Sequence, residues 1–187
     1  LAVVAVPTVI TIFDLNKEPT GDVVNVTAVG KQWWWEFKYP EQDVVTANEL
    51  VIPAGRPVKV NLTACDDSLP NKCDVIHSFW VPELNGKRDV VPGRKTFTTI
   101  EADKPGTYLG QCAEYCGLSH ANMRFRVIAK EPREFDQWIG ELTDLAVGYG
   151  FDTFIFWGEG EDQLPRFAEE VAPAVRAQVA AERGQAQ

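Results

Sequence analysis

A cluster of soft metal ligands constrains this chain more than any other feature of its sequence. The chain has four cysteines, two histidines and one methionine, and four of these seven residues fall in the string CAEYCGLSHANM. Cys112, Cys116, His120 and Met123 therefore share one short segment, and His77 stands upstream in DVIHSFWVPEL. Soft sulfur ligands favour Cu(I) and imidazole suits both oxidation states of copper, so the set predicts a copper site.

Two other uses of these residues have to be weighed against copper. Two cysteines and two histidines are also a structural zinc set, but zinc does not require the methionine, and zinc fingers place paired histidines after their cysteines. A disulfide between Cys112 and Cys116 is the second alternative if the domain is exported. Of the three, copper accounts for the largest number of the clustered residues.

The number of cysteines indicates two metals rather than one. A blue-copper site needs a single cysteine, whereas this segment offers two, four residues apart. Both thiolates can then bridge two coppers, and each copper gains one histidine and a weak axial ligand. One electron shared by two metals spreads the structural change of oxidation over more bonds. The pattern therefore favours fast electron transfer over catalysis.

Residues 21–130 read as β-rich. Short runs of β-branched and aromatic residues are separated by Gly, Pro and Asn at the spacing of a sandwich or Greek-key barrel. Residues 131–150 then change to helical spacing, with Phe135, Trp138, Ile139 and Leu142 on one face. Residues 151–158 and 163–184 predict a further strand and an amphipathic helix. The sequence thus predicts a mainly β domain with an α-rich C-terminal tail.

The first thirteen residues, LAVVAVPTVITIF, form an apolar run that is shorter than the roughly 20 residues needed to span a bilayer. One interpretation is a buried first strand. The preferred one is the clipped end of a transmembrane helix, which leaves the membrane near Asp14, Asn16 and Lys17.

The net charge of −9 is unevenly distributed. Residues 1–130 hold 15 acidic and 14 basic residues, whereas residues 131–187 hold 12 acidic and 4 basic ones. The acidity belongs to the tail, which argues against nucleic-acid binding and gives the first part no overall attraction for a basic partner.

Four motifs together resemble subunit II of cytochrome c oxidase over roughly residues 1–130: KQWWWEFKY, HSFWVPEL, GKRDVVPGR and GTYLGQCAEYCGLSHANM. The resemblance implies a cupredoxin-like Greek-key sandwich. It divides the chain into the end of a transmembrane helix (1–15), a CuA domain (16–130) and a helical or strand–helix extension (131–187).

The resemblance also implies a role for each ligand. Cys112 and Cys116 would bridge the two coppers of the CuA centre, and His77 and His120 would each bind one of them. Met123 would be an axial ligand and Glu114 would contribute its backbone carbonyl. In the family the Glu114 side chain also reaches a magnesium ion shared with subunit I, so magnesium is expected as a second cofactor.

By the same resemblance, the chain is the electron-accepting subunit of a haem–copper terminal oxidase. Cytochrome c would deliver electrons through an exposed Trp33, and subunit I and other subunits would use them for oxygen reduction coupled to proton pumping. The chain would be anchored in the cell membrane with its globular domain on the extracytoplasmic face. Strand alternation places Trp33 and Trp35 on one face and Trp34 on the other.

Acidic side chains near the site could orient a basic cytochrome and raise its association rate. The candidates are Glu36, Glu41, Asp43, Asp66, Asp67 and Asp74.

Other functions are less compatible with these residues. Quinol oxidases share the fold but lack the copper ligands, and nitrous-oxide reductase is less similar around KRDVVPGR. A copper-delivery or copper-storage module would favour several exposed Met and Cys motifs, whereas this chain has one methionine.

Two features depart from the family pattern. Cys65 and Cys73 stand in a polar loop before His77, and a local disulfide is the simplest account in an oxidising compartment. Residues 147–183 weakly resemble the final strand and helix of luciferase-like flavin monooxygenases. One such unit cannot form a barrel or bind flavin, so we expect a peripheral appendage without flavin chemistry.

Overall fold

Two five-stranded sheets form the body of the chain in the computed structural model, which describes residues 2–65 and 73–149, with backbone alone for residues 2 and 146–149. Ten strands run in chain order: β1 (Val24–Lys31), β2 (Trp34–Tyr39), β3 (Val44–Ala47), β4 (Glu49–Pro53), β5 (Val58–Thr63), β6 (His77–Trp80), β7 (Arg88–Val90), β8 (Thr96–Ile100), β9 (Gly106–Cys112) and β10 (Arg124–Lys130). Helix α1 (Ala2–Leu15) precedes them and helix α2 (Pro132–Tyr149) follows. The predicted mainly β architecture is confirmed.

The strand order is β3-β2-β1-β5-β8 in the first sheet and β4-β10-β9-β6-β7 in the second. Most neighbours are antiparallel, but β1 pairs with β5 and β4 with β10 in parallel. Aromatic rings fill the space between the sheets. Trp35 of the first sheet lies 5.6 Å from the ring centroids of both Phe79 and Phe125 of the second. These rings form the core directly beneath the ligand residues.

Helix α2 confirms the helical spacing predicted after residue 131. Phe135, Ile139 and Leu142 are buried on one face. Trp138 packs edge-on against Tyr39 of β2, with ring centroids 5.6 Å apart. The strand and helix predicted within residues 151–187, and the flavin-monooxygenase likeness, lie outside the described residues.

Residues 2–15 form a helix, so the alternative of a buried first strand is wrong. The described apolar side chains of α1 are exposed, from Val3 to Leu15. Among residues 2–65 and 73–149, no helix combines the length and the apolar character needed to cross a membrane.

A disulfide joins Cys65 to Cys73, with the two Cα atoms 3.9 Å apart. The amide of Gly93 donates to the Cys65 sulfur at 3.2 Å, which ties the bond to the turn before β8. The residues between the two cysteines lie outside the described part of the chain. The disulfide therefore closes a short loop immediately before the segment that leads to His77.

Replacing Cys65 and Cys73 together by serine is expected to lower the free energy of unfolding by about 2.5 kcal/mol, because the bond restricts a short loop in the unfolded chain. Urea unfolding of the copper-free chain measures this, and the wild type in reductant should match the variant. The copper spectrum should be unchanged. Its loss would show instead that these sulfurs serve the metal site.

Candidate metal centre

Three strand ends meet at one edge of the second sheet and hold the predicted ligands. His77 is the first residue of β6, Cys112 is the last of β9, and Met123 directly precedes β10. The loop between β9 and β10 is fixed at its base, because the Cys112 amide donates to the Met123 carbonyl at 2.9 Å. The Ala113 amide donates to the Ser78 carbonyl at 2.9 Å, which ties the same loop to β6.

The ligand atoms converge on two sulfurs. The Sγ atoms of Cys112 and Cys116 lie 3.9 Å apart, and both cysteines are free thiols. His77 Nδ1 lies 3.9 Å from the Cys112 sulfur, and His120 Nδ1 lies 3.6 Å from the Cys116 sulfur. The Met123 Sδ is 3.6 Å from the Cys116 sulfur. Each cysteine therefore has its own histidine.

The Glu114 backbone also faces the sulfurs. The Cys112 thiol donates to the Glu114 carbonyl oxygen at 3.2 Å. The Glu114 side chain turns back to its own loop, where Oε1 accepts from the Tyr115 amide at 3.0 Å. All six residues predicted as ligands thus lie around one point.

Burial shifts the pKa of two of the ligand residues, His77 and Cys116. Burial lowers the pKa of His77, an effect that Asp74 partly opposes, and the His77 Nε2 has no hydrogen-bond partner among the described residues. Burial, followed by the electrostatic interaction with the neighbouring Cys112, raises the pKa of Cys116 to about 12. Without metal the Cys116 thiol is therefore neutral near pH 7. A metal that binds as a thiolate complex must displace this proton.

The donor set fits copper chemically. Metal–sulfur bonds are about 2.3 Å long, so two sulfurs 3.9 Å apart can both bind the same ion. The ligand atoms of His77, Cys112 and Cys116 all lie within 4.8 Å of one another, and these three side chains are buried. Met123 adds a buried thioether, the type of ligand that Cu(I) accepts and that structural zinc sites do not use.

Trp33 lies in the turn between β1 and β2. It contacts the loop between β9 and β10 (residues 113–123), which is called the metal loop below. Its Nε1 donates to the Cys116 carbonyl at 3.2 Å, and its side chain is half-buried. Because β2 begins at Trp34, the alternation predicted for Trp33 and Trp35 does not apply to Trp33. Trp35 is fully buried and packs its ring 5.9 Å from the His77 ring, whereas Trp34 lies beneath the Lys31 ammonium.

Sequence reasoning missed three further residues, two at this contact and one against the His77 ring. Gln32 Nε2 donates to the Cys116 carbonyl at 2.6 Å. Gly117 has φ +122°, and a Cβ there would lie 2.9 Å from the same Gln32 nitrogen. A Cβ at Gly30 would lie 2.7 Å from the His77 ring. The only sequence signal was the two glycines, because close approach of a backbone to a side chain favours that residue.

The four acidic candidates within the described residues have different surroundings. Glu36 is buried and paired with Lys31 and Lys38 at 2.8 and 2.9 Å, so its prediction as a docking group is wrong. The Asp74 carboxylate accepts from the backbone N–H of Gln32 at 2.7 Å. Glu41 accepts from Asn25 at 3.2 Å. Asp43 is exposed, and Asp66 and Asp67 lie outside the described residues.

Two large hydrophobic side chains near the sulfurs are exposed. Leu118 is 94% exposed and Tyr115 is 68% exposed, and both belong to the loop that carries the two cysteines. The Tyr115 ring lies 5.8 Å from the ring of His120. The loop therefore exposes two large hydrophobic side chains next to the two buried cysteines.

The fold and the loop define a cupredoxin-like β domain with a cluster of soft-ligand side chains, between three strand ends, that could hold a metal. A family model described as "Cytochrome C oxidase subunit II, periplasmic domain" matches residues 24–130. The chain therefore belongs to the family of cytochrome c oxidase subunit II, and residues 24–130 correspond to its periplasmic domain. The predicted resemblance and fold class are confirmed.

Individual relatives support the same family. The cytochrome c oxidase subunit 2 of Alkalihalophilus pseudofirmus is 41% identical over 144 residues, which cover 74% of this chain and 40% of that protein. The quinol oxidase subunit 2 of Bacillus cereus is 36% identical over 123 residues, which cover 66% of this chain and 40% of that protein. The chain therefore spans about 40% of the length of these curated relatives.

A solved structure is also similar. The periplasmic domain of subunit II of cytochrome oxidase from Bradyrhizobium japonicum matches with a TM-score of 0.59 and 31% identity. The match covers 67% of this chain and 96% of that one.

Proposed function

We propose that this chain accepts electrons for a haem–copper terminal oxidase through a two-copper CuA centre. The observation that carries the proposal is the pair of buried free thiols 3.9 Å apart, each beside its own imidazole. Bound copper would supply reversible one-electron redox chemistry at this point. The buried pocket keeps water from the sulfurs and limits the rearrangement of the ligands.

Each ligand residue has a defined contribution in this proposal. Cys112 and Cys116 would hold the two coppers together with His77 and His120. Met123 and the Glu114 carbonyl would complete the donor set. Because the ligands come from strand ends and a loop tied to β6, the protein fixes their positions before metal binds, which is the arrangement that fast electron transfer requires.

The electron donor in this proposal is cytochrome c. The exposed Leu118 and Tyr115 offer an apolar contact surface, and the Trp33 indole hydrogen-bonds directly to a carbonyl of a ligand residue. Electrons would pass on to haem in subunit I, where oxygen reduction is coupled to proton pumping. The Glu114 carboxylate would bind magnesium at the boundary with subunit I.

We also infer attachment to the cell membrane, with the periplasmic domain on the extracytoplasmic side. The apolar side chains that α1 exposes are what support this, because such residues favour burial in lipid or against other subunits.

Quinol oxidation is the competing function, since a relative of that name is 36% identical. The convergence of two thiols, two imidazoles and a thioether favours copper and therefore a cytochrome donor.

The test is the metal content of the purified full chain after copper loading. We expect two coppers per chain and an EPR hyperfine pattern of one electron shared by two equivalent copper nuclei. A single isolated copper, no copper, or preferential retention of zinc when both metals are offered would contradict the proposal.

A further inference from the structure

Asp74 connects three segments around the metal loop. Its amide donates to the Ala64 carbonyl at 2.6 Å, next to the disulfide. Its Oδ2 accepts from the backbone N–H of Gln32 at 2.7 Å, in the turn between β1 and β2. Its Oδ1 accepts from the Val75 amide at 2.7 Å, in the segment that leads to His77. Both carboxylate oxygens are therefore used inside the protein.

The turn that Asp74 holds is the one that contacts the metal loop. Gln32 Nε2 and Trp33 Nε1 both donate to the Cys116 carbonyl, at 2.6 and 3.2 Å. A hydrogen-bonded series thus runs from Asp74 through the Gln32–Trp33 turn to a residue whose sulfur lies in the centre. Gly117 leaves room for this contact, because a Cβ there would lie 2.9 Å from Gln32 Nε2.

The turn itself is short: Lys31 of β1 pairs with Trp34 of β2, and only Gln32 and Trp33 lie between them. Gln32 is exposed, so water competes for its backbone amide, and a carboxylate acceptor outweighs water more effectively than a neutral group does. The charge of Asp74 is also close enough to oppose the effect of burial on the pKa of His77. The hydrogen bonds place Asp74 beside the turn that contacts Cys116, and its charge favours the protonated form of His77.

We propose that Asp74 is a positioning residue: its carboxylate holds the Gln32–Trp33 turn against the Cys116 carbonyl and so sets the electron path and the properties of the metal centre. The part of this inference that concerns electron transfer rests on the proposed function. The competing role is a docking acid that faces the donor. A docking role predicts that association with the electron donor, and the salt dependence of that association, will change. It predicts no change in the signals of the protein alone.

The first experiment uses the metal-free full chain, so that it does not depend on copper. In Asp74→Ala we expect the Trp33 indole N–H resonance to shift, the resonance being assigned by its absence in Trp33→Phe. We also expect the backbone amide hydrogen of Gln32 to exchange with solvent about tenfold faster, because it loses a hydrogen bond to a charged group. Glu101→Ala removes an exposed carboxylate elsewhere and should change neither.

Asp74→Asn is the matched variant, and it also serves if Asp74→Ala does not fold. The amide has one acceptor oxygen for two N–H groups, so we expect the same shifts at smaller size. In the copper-loaded chain, both variants should shift the absorption spectrum, and Asp74→Asn should raise the reduction potential because a negative charge near the centre is lost. The electron-transfer rate at saturating donor should fall.

Unchanged Trp33 and Gln32 signals in both metal-free variants would overturn the inference, whatever copper does. A change confined to the donor concentration dependence and its response to salt would also overturn it in favour of docking. If the signals shift in the variants but the wild type binds no copper, the proposed function is refuted and the positioning role stands.

Discussion

Serine in place of Cys116 is expected to abolish the shared-electron copper spectrum while the β domain stays folded. The Cys116 sulfur lies within 3.9 Å of the Cys112 sulfur and within 3.6 Å of both His120 Nδ1 and the Met123 sulfur. A hydroxyl is a hard, weakly acidic ligand that does not bridge two soft metals. Because serine is close in size, the packing beneath the site should remain, and the remaining ligands should hold at most one copper.

EPR and metal analysis of the copper-loaded full chain measure this effect, with circular dichroism as the check on folding. The double serine variant at Cys65 and Cys73 is the matched control, because it removes two sulfurs by the same substitution from a loop outside the centre. It should keep the full copper content and spectrum. A Cys116→Ser protein with two coppers and an unchanged spectrum would mean that the two sulfurs do not form one redox unit.

The ligand set could be predicted because most of it is local in sequence. Cys112, Cys116, His120 and Met123 lie on one loop, so their proximity follows from chain connectivity alone. His77 is distant, and only the family resemblance indicated that β6 would lie beside β9. The structure places it there through antiparallel pairing, with Phe79 opposite Cys112.

The strands were predictable from composition, but their order was not. The parallel pairs β1–β5 and β4–β10 join segments far apart in the chain, and no local pattern specifies such a partner. Glu36 shows a similar limit. An acidic residue on a strand is expected at the surface. Glu36 is buried instead, because it pairs with Lys31 of β1 and with Lys38 of its own strand β2.

The contacts of Trp33 lay outside the reach of sequence analysis for a different reason. Periodicity describes strands, and Trp33 lies in a turn, where the direction of a side chain depends on the contacts that the turn makes. Here those contacts are Asp74 and the Cys116 carbonyl. Neither residue is near Trp33 in sequence.

Trp33→Phe is expected to slow electron transfer from reduced cytochrome c by at least an order of magnitude, while the two-copper EPR pattern is retained. Phenylalanine keeps an aromatic ring in the turn but removes the indole N–H that donates to the Cys116 carbonyl. The electron path from the half-buried indole to a ligand residue is thereby interrupted. Stopped-flow oxidation of cytochrome c by the copper-loaded chain measures the rate.

Trp34→Phe is the matched control, since it makes the same substitution one residue along the chain. The Trp34 ring lies beneath the Lys31 ammonium rather than on the metal loop, so its rate constant should stay close to that of the wild type. Equal losses in the two variants would point to a general effect on the β1–β2 region. A normal rate in Trp33→Phe would show that electrons reach the sulfurs by another route, and the exposed Leu118 and Tyr115 would then mark where the donor makes its contact.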